Sequence, residues 1–74
     1  MTTTDLSSWQ PVSSSNIAAI KHDGTALWVE FRSGGQYKYD GVSASDAEDM
    51  LMASSPGGYF HNNIKDSYDG ERVG

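Results

Sequence analysis

The stretch FRSGGQYKYD, residues 31–40, decides how this chain folds, because it determines which face of a sheet receives Tyr37 and Tyr39. Just before it, Leu27, Val29 and Phe31 alternate with Trp28 and Glu30 at the two-residue period of a strand. Gly34-Gly35 then turns the chain. A two-residue loop would pair Glu30 with Tyr39 and Arg32 with Tyr37, placing both phenols beside Trp28 on the outer face. It would also drive Lys38 and Asp40 into the core next to Phe31 and Val29, and unpaired buried charge is strongly unfavourable. A three-residue loop, Ser33-Gly34-Gly35 with one left-handed glycine, instead pairs Phe31 with Tyr37, Val29 with Tyr39 and Glu30 with Lys38. Polarity selects this second register, so the tyrosines are core residues rather than a stacking platform for bases.

Upstream, Asp23-Gly24 supplies a hairpin signal that sets Ile20 opposite Leu27 and Ala18 opposite Val29. The outer face then carries Ile17, Ala19 and Trp28, flanked by Glu30 and Lys38. Downstream, VSASDAEDMLMASS, residues 42–55, reads as a helix. Ser45 and Glu48 form a capping box, and Asp46, Glu48 and Asp49 fall in the first turn where the helix dipole favours them. Its inner stripe is Val42, Ala47, Met50, Leu51 and Ser54. A second short helix has Ser55 as N-cap and Pro56 at the first helical position, followed by Tyr59, Phe60 and Ile64 at helical spacing. The fold class is α+β: a three-stranded antiparallel β-meander over residues 16–40 with two short helices packed on one face. Residues 1–11 read as a flexible arm anchored only by Leu6 and Trp9, and residues 69–74 as a frayed tail.

Composition bounds the function. In a chain of 74 residues, Leu, Ile, Val and Phe total only 12, so the two Trp and four Tyr must supply much of the core. Ten acidic against five basic side chains give a net charge of -5, which repels long phosphate backbones. The sequence has no cysteine, which excludes a thiol nucleophile and thiolate metal sites. No apolar run approaches membrane-spanning length, and no leader-like segment is visible; a cytoplasmic protein without a membrane partner is expected.

Several features occur together in residues 12–68: Ser-Ser before Ile17, Leu27-x-Val29-x-Phe31, the glycine turn, Tyr37-Lys38-Tyr39, and Ser55-x-Gly57 followed by Tyr59-Phe60, Asn62, Ile64-Lys65 and Tyr68. In this order and spacing the segment resembles the KTSC domain, named for its occurrence at the C-terminus of some lysyl-tRNA synthetases and also found as small bacterial and phage proteins. His22 stands where that family commonly has a tyrosine. The resemblance implies RNA binding as one expectation.

The residues themselves offer two candidate surfaces. At the helix start Gly57 and Gly58 leave backbone N–H groups uncovered at a positive dipole end, with His61 or Lys65 available beside them for a phosphate or carboxylate. On the outer sheet face, Trp28 must be covered by the arm through Trp9 or Val12, by a second copy across Ile17, Ala19 and Trp28, or by a base stacked beside Arg32 and Lys38. His22, Asp23 and His61 match no usual metal-ligand spacing, and the serines lack a nucleophile-elbow context. The expectation is therefore a non-catalytic module without cofactor or metal. It recognises RNA or a free nucleotide as a homo-oligomer through Arg32, Lys38, Gly57, Gly58 and Lys65. The alternative is an acidic protein-interaction factor, for example a phage protein that inhibits or sequesters a basic host component.

Overall fold

The structure, a computed structural model, describes residues 7–74; residues 1–6, the larger part of the expected arm, lie outside the described residues. Five antiparallel strands form one sheet in sequence order: β1 (Gln10–Pro11), β2 (Ile17–His22), β3 (Ala26–Phe31), β4 (Gln36–Asp40) and β5 (Gly70–Arg72). Two helices, α1 (Ala44–Met52) and α2 (Pro56–Asn63), join β4 to the last strand. The α+β architecture with two helices is as expected, but the sheet has five strands rather than three. The added strands lie in the segments read as arm and tail. They are two and three residues long, too short to carry a periodic pattern.

Both hairpins keep the expected faces and change the expected register. Across the first, Ile20 pairs with Val29 and His22 with Leu27, two residues from the expected partners. The turn centre moves to Gly24-Thr25, with Asp23 N–H donating to Ala26 O at 3.2 Å and only Gly24 at positive φ. Asp23 sits better outside the turn, because its Oδ1 there accepts from Thr25 N at 2.9 Å and Ala26 N at 2.8 Å. Across the second hairpin, Val29 pairs with Tyr37, Leu27 with Tyr39 and Trp28 with Lys38. The loop has three residues and a left-handed glycine, but it is Arg32-Ser33-Gly34: Phe31 N donates to Gly35 O at 2.9 Å and Gly34 has φ +108°. A shift of two preserves which side each residue faces, so Tyr39 is buried and Tyr37 packs against the core as expected.

One placement changes sides. A bulge at Ala18 sets Ile17 opposite Phe31 while Ala19 stays opposite Glu30, so the extra residue reverses the alternation upstream of it. Ile17, expected on the outer face, is therefore a core residue at 1% exposure.

Helix α1 starts earlier than the capping box suggested: its N-cap is Ser43, whose hydroxyl accepts from Asp46 N at 3.1 Å. This start places Val42 and Ala47, both buried, at the two positions of a hydrophobic staple. It leaves Asp46 as the acid of the first turn. Helix α2 begins as read, with Ser55 Oγ accepting from Gly58 N at 3.3 Å and Pro56 first in the helix. Met50, Phe60 and Ile64 close the core against Ile20, Leu27, Val29 and Tyr39.

Candidate functional site

The Ser13–Asn16 loop connects β1 to β2, and its polar side chains favour local turns over regular pairing. Ser14 Oγ accepts from Asn16 N at 3.2 Å and Ile17 N at 3.3 Å, which curls the loop. Two clefts open on either side of it. One, about 480 Å³, is lined by Ser13 to Asn16 and by the start of α2, including Ser55, Gly57, Gly58, His61 and Asn62. The other, about 500 Å³, is lined by Ser15, Asn16, Phe31, Arg32 and Ser33. Ser15 and Asn16 belong to both, so the loop forms the shared wall between the α2 start and Arg32.

Arg32 is held at this wall twice. Its backbone N donates to Asn16 O at 2.8 Å, and its Nε donates to Ser14 O at 2.6 Å. The register change explains this position: because Arg32 is the first loop residue instead of the last strand residue, it leaves the sheet and reaches the serine loop. On the other side, Gly57 approaches so closely that a Cβ there would stand 2.9 Å from Ser14 Oγ. Of the expected ligand-binding residues, the fold thus gathers Arg32, Gly57 and Gly58 around one loop. Lys38 lies mid-strand on the outer face, paired with Asp40 at 3.7 Å, and exposed Lys65 lines neither cleft. The serines before Ile17, together with Asn62, entered the sequence reading only as marks of the family resemblance, not as site residues. The run Ser13-Ser14-Ser15-Asn16 directly before a strand was the available signal, since those residues are the common builders of hydroxyl- and amide-capped turns.

The outer face is organised differently. Lys21, Trp28, Lys38 and Glu71 form one cross-strand row, and the Lys21 ammonium stands 4.9 Å from the ring centres of both Trp9 and Trp28. Lys38 Nζ lies 5.5 Å from the Trp28 ring on the same row. The arm therefore reaches the outer face through Trp9, while Val12 turns into the core. Trp28 Nε1 donates to Asp23 Oδ2 at 2.9 Å. Donation from Thr25 N, then from Trp28 Nε1 and Ala26 N, holds the Asp23 carboxyl well below the usual aspartate range. Ala19, expected as open outer surface, lies beside this row opposite Glu30 and Pro11 and is buried, because the added strand β1 pairs alongside it.

His22 is buried and structural: its Nδ1 accepts from Gly24 N at 3.0 Å and its Nε2 donates to Val42 O at 2.6 Å, tying the first turn to the approach to α1. Among the described residues, no three His, Asp or Glu side chains converge as a metal site. No helix among them is long and apolar enough to cross a membrane.

The KTSC domain model matches residues 13–68. This chain belongs to the KTSC domain family. The match begins at the serine loop and ends at Tyr68, so it takes in both clefts and leaves β1 and β5 outside. The chain is also similar to the crystal structure of a KTSC domain protein from Yersinia pestis, at 35% identity and a TM-score of 0.81, covering 90% of this chain and 97% of that one. A search of curated proteins found no match. Within the matched segment, Tyr37 and Tyr39 face the core under the helices, and Lys38 between them faces out to Trp28.

Proposed function

We propose that this KTSC domain is a non-catalytic binding module for a compact phosphate-bearing ligand, a free nucleotide in preference to extended RNA. The ligand lies across the Ser15–Asn16 wall that the two clefts share, between the start of α2 and Arg32, and the two clefts together are the groove. The observation that carries this reading is Arg32 pinned by Nε to Ser14 O at 2.6 Å on the wall shared with the Gly57-Gly58 cleft. A guanidinium held in this way offers its remaining N–H groups to an oxyanion with little further loss of side-chain freedom. The net charge of -5 works against a long polyanion and less against one phosphate. Lys38 and Lys65 fall outside the contact set for the geometric reasons above.

The groove and the outer face, where association with a second copy was expected, are separate surfaces of the chain. That association, through Trp28, is a separate proposal, answered by light scattering; Ala19 is buried within the chain and offers no surface to a second copy. Trp9 and Lys21 already lie against Trp28 and reduce what a second copy would gain there.

Titration with adenosine monophosphate and with a single-stranded RNA oligomer, each at low and at physiological salt, tests the reading. The expected result is saturable mononucleotide binding that changes little with salt, and weaker oligomer binding. Tight oligomer binding that falls steeply with salt would establish extended RNA as the ligand instead. Binding of neither, with stoichiometric capture of a basic protein, would favour the interaction-factor alternative through the acids of α1.

A further inference from the structure

Ser14 makes more contacts across the groove than any single motif in the sequence advertises. Its carbonyl holds Arg32 Nε at 2.6 Å, its hydroxyl accepts from Asn16 N and Ile17 N, and that same hydroxyl is what a Cβ on Gly57 would meet at 2.9 Å. The loop cannot move toward α2 without pressing on Gly57. It cannot move away without pulling on the Arg32 side chain or on the Asn16 O that holds the Arg32 backbone at 2.8 Å.

Resting on the anion-binding reading above, we propose that Ser14 is the positioning residue of the groove: its carbonyl fixes the Arg32 guanidinium through Nε, and the missing side chain of Gly57 leaves its hydroxyl the room that lets the loop, and with it that guanidinium, stand where it does. With Nε engaged, the two terminal nitrogens form a planar pair of donors matched to two oxygens of one phosphate or carboxylate. Lysine could not replace it, because a single ammonium cannot hold the Ser14 carbonyl and still present two donors in a plane. Glycine at position 57 is then a requirement of the site. A methyl group there displaces Ser14, and the displacement is passed to Arg32.

The experiment is a double-mutant cycle between Ser14→Ala and Gly57→Ala, with Arg32→Lys alongside, read by titration with inorganic phosphate and adenosine monophosphate. Gly57→Ala weakens binding about tenfold in the native background, the scale of one charge-assisted hydrogen bond, and has no further effect once Ser14 is alanine, because the oxygen it would strike is gone. Arg32→Lys loses as much as Arg32→Ala. Equal effects of Gly57→Ala in both backgrounds, or full binding by Arg32→Lys, would overturn the proposal.

The Arg32 Nε–H signal in the nitrogen–proton NMR spectrum supplies a readout that needs no ligand and that general loss of stability would not move selectively. It is protected from exchange in the native protein, loses protection in Gly57→Ala and regains it in the double variant. If native protein binds neither probe but this pattern holds, the anion reading fails and the positioning geometry stands. If Gly57→Ala leaves the signal protected, the positioning role fails whatever the ligand.

Discussion

The two faces of the sheet receive aromatic residues from the same alternating strands and use them in opposite ways. On the helix side, Tyr37, Phe31, Phe60 and Tyr39 form a chain of edge-to-face contacts with centroid spacings of 5.5, 5.6 and 5.3 Å. On the outer side, Trp9 and Trp28 share the ammonium of Lys21. What separates the faces is the cover: α2 brings Phe60 over one, and lysine side chains reach across the other. Ring packing under a helix removes area from water and adds the favourable quadrupole geometry of edge contacts. A cation over a half-buried indole contributes less. In a domain this small the first face should hold nearly all the stability.

The largest expected effect is therefore Phe60→Ala, which removes the ring common to two of the three edge contacts. It should cost about 3–5 kcal/mol, enough to unfold much of a domain of this size at ambient temperature, as followed by thermal or urea denaturation. A loss below about 1 kcal/mol, the scale of the outer face, would erase the contrast between the faces. Gly70→Ala comes next. A Cβ there would stand 2.5 Å from Tyr39 Cε2, so the variant should lose about 1–3 kcal/mol by overpacking, with faster hydrogen exchange in β4 and β5.

Asp23 sharpens the comparison through pH. Its folded-state pKa is depressed, so its contribution is present above the ordinary aspartate value of about 4 and is lost as pH falls through the lower folded value. Asp23→Asn can still accept from Thr25 N and Ala26 N through its amide oxygen, but its amide nitrogen cannot accept from Trp28 Nε1. The variant should be less stable than the native chain at neutral pH, and the gap should close on acidification. A gap that is constant with pH would mean that the carboxylate charge does not matter. The smallest effect belongs to Lys21→Ala, about 0.5–1 kcal/mol, with a change in tryptophan fluorescence as the indoles lose their shared cation.

These expectations also mark what the sequence made legible. The face assignment of the tyrosines was readable because Lys38 and Asp40 could not be buried, and that polarity argument depends only on odd or even offset. The register itself was not, since a shift of two leaves every residue on its side. Its value depends on Asp23 using its side chain as a turn acceptor and on Arg32 leaving the strand. Ile17 was misplaced because a single extra residue, Ala18, reverses alternation and has no mark in composition. The second helix was legible from Ser55-Pro56, whereas the first was placed at Ser45 by its capping-box spacing and starts two residues earlier, at Ser43, where Val42 is buried. The groove was half visible: Gly57-Gly58 stood out, but its other wall comes from a loop more than forty residues away in sequence, brought there by the sheet.

The central claim, that the groove on the serine loop rather than the outer aromatic row is the binding surface, is tested most directly by mapping amide NMR shifts during titration with adenosine monophosphate. The account predicts saturable shifts concentrated at Ser14 to Asn16, Arg32 and Ser33, and Gly57 and Gly58. Shifts centred instead on Lys21, Trp28 and Lys38, with the serine loop unchanged, would contradict it and make the outer face the place where this domain meets its ligand.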